Sequence, residues 1–251
     1  METNYAKLAE TLTASLKLSQ PPVVVCFADS VPASVPDYAG HAPAGCRFWE
    51  DAAAGAFATS SSDHSLCAIG VYTHNLKPSL AQQTDLIDAL KVFGELGYVT
   101  PQDLPLIPVL KSRPAHVIYA PLAQTPLAPD VVLLFVDANQ TLILSEATQQ
   151  VENQNAPAMG RPACAIIPQV MNTGRAALSL GCCGARAYLD VLTDEVALFA
   201  IPGARLEAYI ERIVALSVAN AVLSKFHQIR RREVEAGQSP SIERSLAALR
   251  A

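Results

Sequence analysis

The sequence has six cysteines but no Cys-x-x-Cys pair, so the local signature of a zinc knuckle or a ferredoxin-type cluster is missing. No stretch approaches the roughly 18 apolar residues of a membrane-spanning helix, and VVLLFV at 131–136 is typical of its apolar runs. Charged residues make up 16% of the chain and the net charge is −5, which leaves no overall positive field to gather a phosphate backbone. The one basic cluster, KFHQIRRR at 225–232, falls in a stretch of helical pattern, where cations favourably meet the negative end of the helix dipole. Neither nucleic acid nor membrane is therefore an expected partner.

Phosphate-cradle and hydrolase signatures are missing too: there is no G-x-G-x-x-G, no P-loop and no G-x-S-x-G elbow. The opening segment METNYAKLAETLTASLKL lacks the basic start and apolar centre of a secretory signal, so the expected location is cytoplasmic. In that reducing setting the cysteines are expected to be free, metal-bound or catalytic rather than joined as disulfides.

What is present is apolar material: 51% of 251 residues, enough for a substantial buried core. Leu8, Leu12 and Leu16, with Tyr5 and Ala9, repeat at helical spacing and predict a first helix that stops before Pro21 and Pro22. VVVCFA at 23–28 reads as a buried strand, and the Pro- and Ser-rich stretch after it as a long loop. Residues 46–57 predict a helix closed by Gly55. A second runs from about Ser79 to Leu96, with Leu80, Leu86, Ile87, Leu90 and Phe93 on one face. HVIYA at 116–120 and VVLLFV are expected as neighbouring strands, followed by a helix over 142–151 and a further strand in VALFAIPG at 196–203. A long helix or helix pair then carries Leu206, Tyr209, Ile213, Leu216, Ala219 and Leu223 on a stripe, a face for the body or for a second copy in a homo-oligomer. Strand followed by helix is α/β grammar. With no repeat and no clean linker, residues 1–251 are expected to form a single α/β domain with a mixed sheet and flanking helices. Cys/Gly-rich loops form a site in this reading, and 204–251 is a carboxy-terminal helical extension.

Cys26 sits inside a strand and reads as inert core. Cys46, Cys67, Cys164 and the adjacent pair Cys182 and Cys183 fall instead among glycine, proline and polar turn residues, where backbone can approach a sulfur closely. His64 and His74 flank Cys67 in DHSLCAIGVYTH, and a neutral imidazole is both a common metal ligand and the usual activator of a thiol. Arg186 follows the double-cysteine turn, and its guanidinium could grip an anionic substrate group. From the residues alone, three readings stay open: a shared thiolate site, one reactive thiol, or cysteines that merely pack.

The segments CRFWEDAAAGAF, DHSLCAIGVYTH, RPACAIIP and SLGCCGAR together resemble the bacterial and archaeal domain-of-unknown-function family 169. The resemblance runs from the first strand past the double-cysteine turn. It singles out Cys46, then His64, Cys67 and His74, then Cys164, and finally Cys182 with Arg186, since the Cys-x-Gly-x-Arg spacing selects Cys182 over Cys183. Four thiolates from four separated segments are the number that a cubane iron–sulfur cluster takes, one per iron. The resulting expectation is a [4Fe–4S] cluster on Cys46, Cys67, Cys164 and Cys182, in an iron–sulfur oxidoreductase or lyase. His64, His74 and Arg186 are its expected catalytic groups, working on a small-molecule substrate or with an electron-transfer partner. Two alternatives stand beside it: a metal-free Cys/His nucleophile enzyme, and a haem or tetrapyrrole module with Phe48, Trp49 and Tyr72 packed on the ring.

Overall fold

Two strands, β1 (Val23–Ala28) and β4 (Val131–Val136), explain the sheet, because their near-continuous apolar runs are buried on both sides. In the computed structural model, which describes residues 3–40, 45–64, 67–153, 157–182 and 184–250, they lie side by side and antiparallel. Around them stand β2 (Phe57–Thr59), β3 (His116–Pro121), β5 (Ala158–Met159), β6 (Ala177–Ser179) and β7 (Ala197–Pro202). The seven-stranded mixed sheet has the order β2-β3-β1-β4-β7-β6-β5, antiparallel except where β5 meets β6.

Alternation along each strand divides the core into two layers. Val24, Cys26, Ile118, Val132, Leu134 and Phe199 face helices α1 (Tyr5–Leu16), α5 (Ala138–Glu152) and the first turns of α7 (Leu206–Glu235). Val25, Tyr119, Leu133, Phe135 and Leu198 point the other way, toward α2 (Gly45–Asp51), α3 (Ala68–Thr73) and α6 (Ile166–Thr173). The second layer carries the cysteine-bearing turns. Cys26, on the first layer, donates weakly to the Ala128 carbonyl at 3.7 Å, and burial pushes its thiol up to about 11.

Helix starts follow local chemistry. Ser79 caps α4 (Leu80–Glu95) and Asp137 caps α5, each in a reciprocal capping box with the glutamine three residues on. After β7 the chain turns at Gly203, where a Cβ would stand only 1.7 Å from the Pro129 carbonyl oxygen, so only glycine fits. Within α7 the buried residues are Leu206, Tyr209, Ile210 and Ile213. Leu223, at the far end of the expected stripe, is exposed. The last helix, α8 (Ile242–Arg250), packs on α7. None of the described helices is long and apolar enough to cross a membrane.

Several expectations change. The helix expected over 46–57 ends at Asp51, and Phe57–Thr59 becomes an edge strand on β3, since pairing with Val117–Tyr119 outweighs the helical preference of the alanines. Strands β3 and β4 are not neighbours: β1 lies between them and pairs with both. The end of the long loop, residues 41–44 with His41, lies outside the described residues, as does Cys183.

Candidate functional site

Each of the four singled-out cysteines sits at a change of backbone direction. Cys46 is the second residue of α2, Cys67 is the residue before α3, and Cys164 lies in a single 3₁₀ turn, Ala163–Ala165, leading into α6. Cys182 precedes a π-helical turn, Gly184–Tyr188. Although separated by up to 136 positions (182 − 46), all four line one cavity of about 520 Å³ on the α2/α3/α6 side of the sheet. Cys46 and Cys164 are buried, and Cys67 and Cys182 are half-buried.

Burial dominates their chemistry. Desolvation raises the Cys46 thiol well above its ordinary range, and the nearby Cys164, Cys67 and Cys182 sulfurs raise it further, because clustered thiolates repel one another. Cys164 is raised in the same way, first by burial and then by Cys67. Opposing this, backbone N–H groups of Gly70, Gly45 and Ile69 are directed at the Cys67 sulfur. The Thr73 hydroxyl is 3.5 Å from Cys164 Sγ and 3.2 Å from the Gly70 carbonyl, so its single proton is shared between them. Thr73 lies in the same YTH run as His74, but nothing in sequence marked it as a sulfur partner.

His64 and His74 are completely buried, with ring centroids 6.1 Å apart. Neither lines the cavity. His64 lies behind its wall, packed on Gly45 and Gly70 so closely that a Cβ on either would come within 2.8 and 3.0 Å of the ring. Desolvation lowers their pKa values, to about 4 for His64 and about 3 for His74, so both rings are neutral at pH 7. All four ring nitrogens lack a hydrogen-bond partner among the described residues, and so do the buried Tyr119 hydroxyl and Trp49 Nε1. Native interiors rarely leave so many polar atoms unpaired. Tyr119 feels the Cys46, Cys164 and Cys67 sulfurs, which add to the burial that raises its pKa. Its place in the middle of a strand hid it from sequence reading.

Arg186 differs from the expected substrate-facing cation. Its guanidinium donates to the carbonyls of Leu180 at 3.0 Å, Leu192 at 3.3 Å and Val196 at 3.0 Å, and also to Thr193. Those bonds use the fork to fasten the Cys182 turn to the segment before β7, which makes Arg186 a positioning residue. Phe48 and Trp49, expected on the face of a tetrapyrrole, are fully buried in the core and do not line the cavity, whereas Tyr72 is 42% exposed.

The wall opposite the sulfurs comes from α4 and the loop after it, including Leu86, Leu90, Phe93 and Leu106. Gln82, the one buried residue of α4, ties that wall down by donating to the Ser61 carbonyl at 2.7 Å and the His64 carbonyl at 3.0 Å.

The sequence model of the uncharacterised ArCR family, domain-of-unknown-function family 169, matches residues 11–212. The chain belongs to this family. The match takes in the four cavity cysteines, both buried histidines and Arg186, and stops beside Ile213, the last buried residue of α7. No curated protein and no solved structure matches this ArCR chain.

Among the described residues of the ArCR chain, no three His, Cys, Asp or Glu side chains are grouped to hold one metal ion. Tetrahedral zinc at about 2.3 Å from each sulfur needs just such a tight group. A cubane cluster takes one thiolate per iron, which spaces its ligands more widely around one cavity. The donors present are four sulfurs lining one cavity, with hydrogen-bond donors aimed at Cys67 and Cys164.

Proposed function

We propose that Cys46, Cys67, Cys164 and Cys182 hold a [4Fe–4S] cluster, and that the chain is an iron–sulfur enzyme, oxidoreductase or lyase, acting on a small molecule. The observation that carries this reading is that four thiols from four distant segments line a single cavity. With all four sulfurs bound, the cluster would supply one-electron transfer; a Lewis-acidic iron would require one of the four cysteines to stay unbound.

The chain's own groups divide the remaining work. The Gly70, Gly45 and Ile69 amides and the Thr73 hydroxyl stabilise negative charge on sulfur, a lever that tunes such centres. Arg186 fixes the turn that carries Cys182. Neutral His64, behind the glycine wall, and neutral His74, whose ring centroid is 6.1 Å from that of His64, can each donate one hydrogen bond and accept another, where a proton can be held away from bulk water.

Protein isolated without oxygen tests this reading: iron and acid-labile sulfide are expected in equal amounts, about four of each per chain. Folded protein with neither refutes it. A second reading is a metal-free thiol enzyme, in which Cys67 alone alkylates far faster than the other cysteines at neutral pH; burial raises the Cys67 pKa, and the three amides directed at its sulfur oppose that shift without cancelling it.

A further inference from the structure

The cavity is larger and more apolar than a metal centre alone calls for. Helix α4 carries Leu86, Ala89, Leu90 and Phe93 at the spacing of one face, a stripe that in most helices is seated on a core. Here that stripe meets the cysteine wall across open space, and Gln82 is the only residue of α4 that is buried. Leu106 and Met159 extend the same apolar lining. A volume of about 520 Å³ suits an organic molecule of drug size.

Charge narrows the class. The ionisable side chains on the wall, apart from the thiols, are Asp85, Asp103, Arg161 and two tyrosines. Arg161 is already engaged, donating to the Tyr98 carbonyl at 3.0 Å and lying 4.9 Å from the centre of the Tyr98 ring. Two carboxylates against one occupied cation disfavour an anionic guest.

We propose that the space between the cysteine wall and α4 binds a neutral, largely apolar organic molecule, held against the stripe of Leu86, Leu90 and Phe93. Its role as substrate rests on the reading of the sulfurs as a metal centre, because the molecule then lies beside that centre. The binding itself does not require it.

Nile red, a neutral apolar dye, serves as the probe, titrated by fluorescence into anaerobically isolated protein whose iron content is measured on the same sample. One dye per chain is expected. Leu90→Asp weakens it at least tenfold, and Ala89→Trp, which fills the cavity without adding charge, does the same. Ile87→Asp, on the 54% exposed side of the helix, leaves binding within twofold. Anilinonaphthalene sulfonate, of similar character but anionic, binds at least tenfold more weakly than Nile red. Equal dye binding by Leu90→Asp, Ala89→Trp and Ile87→Asp overturns the proposal, as does tighter binding of the sulfonate. Iron-free protein that keeps the expected dye pattern supports the binding site while refuting the cluster. Iron-loaded protein without that pattern does the reverse.

Discussion

The imidazole of His64 packs so closely on Gly45 that one added carbon at that glycine would stand 2.8 Å from its Cε1. Gly70 faces the same ring, with a virtual Cβ 3.0 Å from Nδ1. Both glycines also direct amides at the Cys67 sulfur, so the histidine and the thiol share the same two pieces of backbone, in α2 and α3.

Gly45→Ala is therefore expected to destabilise the fold by about 1–3 kcal/mol through overpacking. His64→Ala removes the obstacle, so the double variant loses less than the two single losses added together. Urea unfolding of the four proteins measures this, and strictly additive losses would show that the ring and the glycine do not press on each other.

Stability should depend on pH through the two histidines. Their pKa values fall from 6.5 in the unfolded chain to about 4 for His64 and about 3 for His74 when folded. Below pH 6.5 the unfolded chain takes up protons that the folded chain refuses, so stability is present above that value and is lost as pH falls toward 4. Each group contributes roughly 1.4 kcal/mol per pH unit across that window. Asp63 moderates the His64 shift by favouring its charged form. Denaturation midpoints at several pH values are expected to decline from pH 6.5 to 4 in the native chain, and about half as steeply in His74→Leu.

Much of the scaffold was legible because local and tertiary preferences agree there. VVVCFA and VVLLFV are strands buried on both faces, and the helix from Ser79 starts at its capping serine. The edge strand Phe57–Thr59 was not legible, because it exists only by pairing with β3, some 60 residues away. Helix periodicity shows that Leu86, Leu90 and Phe93 share a face, yet it cannot distinguish a face on a core from one on a cavity. The cysteines were recognisable as a group, whereas their meeting in one cavity is a tertiary fact. The same holds for His64 and His74: proximity to Cys67 was readable, whereas the packing of His64 on Gly45 and Gly70 and of His74 beside it was not.

Individual substitution separates the sulfurs by role. Cys46→Ser, Cys67→Ser, Cys164→Ser and Cys182→Ser are each expected to lose more than half of the bound iron. Cys26→Ser, on the opposite layer of the sheet, keeps all of it. One of the four cavity variants retaining full iron would instead indicate a three-cysteine cluster with an open iron.

Arg186→Lys should behave like a loss and not like a conservative change, since one ammonium cannot reach the carbonyls of Leu180, Leu192 and Val196 together. About 1–3 kcal/mol of stability is expected to go with the unsatisfied carbonyls. Faster iron release on dilution into a chelator would mark Arg186 as acting through the Cys182 turn. Iron release at the native rate would contradict that role.

The most direct measurement is the visible absorption spectrum of freshly prepared anaerobic protein, before and after reduction with dithionite. A cluster on Cys46, Cys67, Cys164 and Cys182 gives a brown protein whose broad sulfur-to-iron absorption bleaches on reduction. Colourless protein with one fast-alkylating thiol, or a sharp haem band, would contradict it.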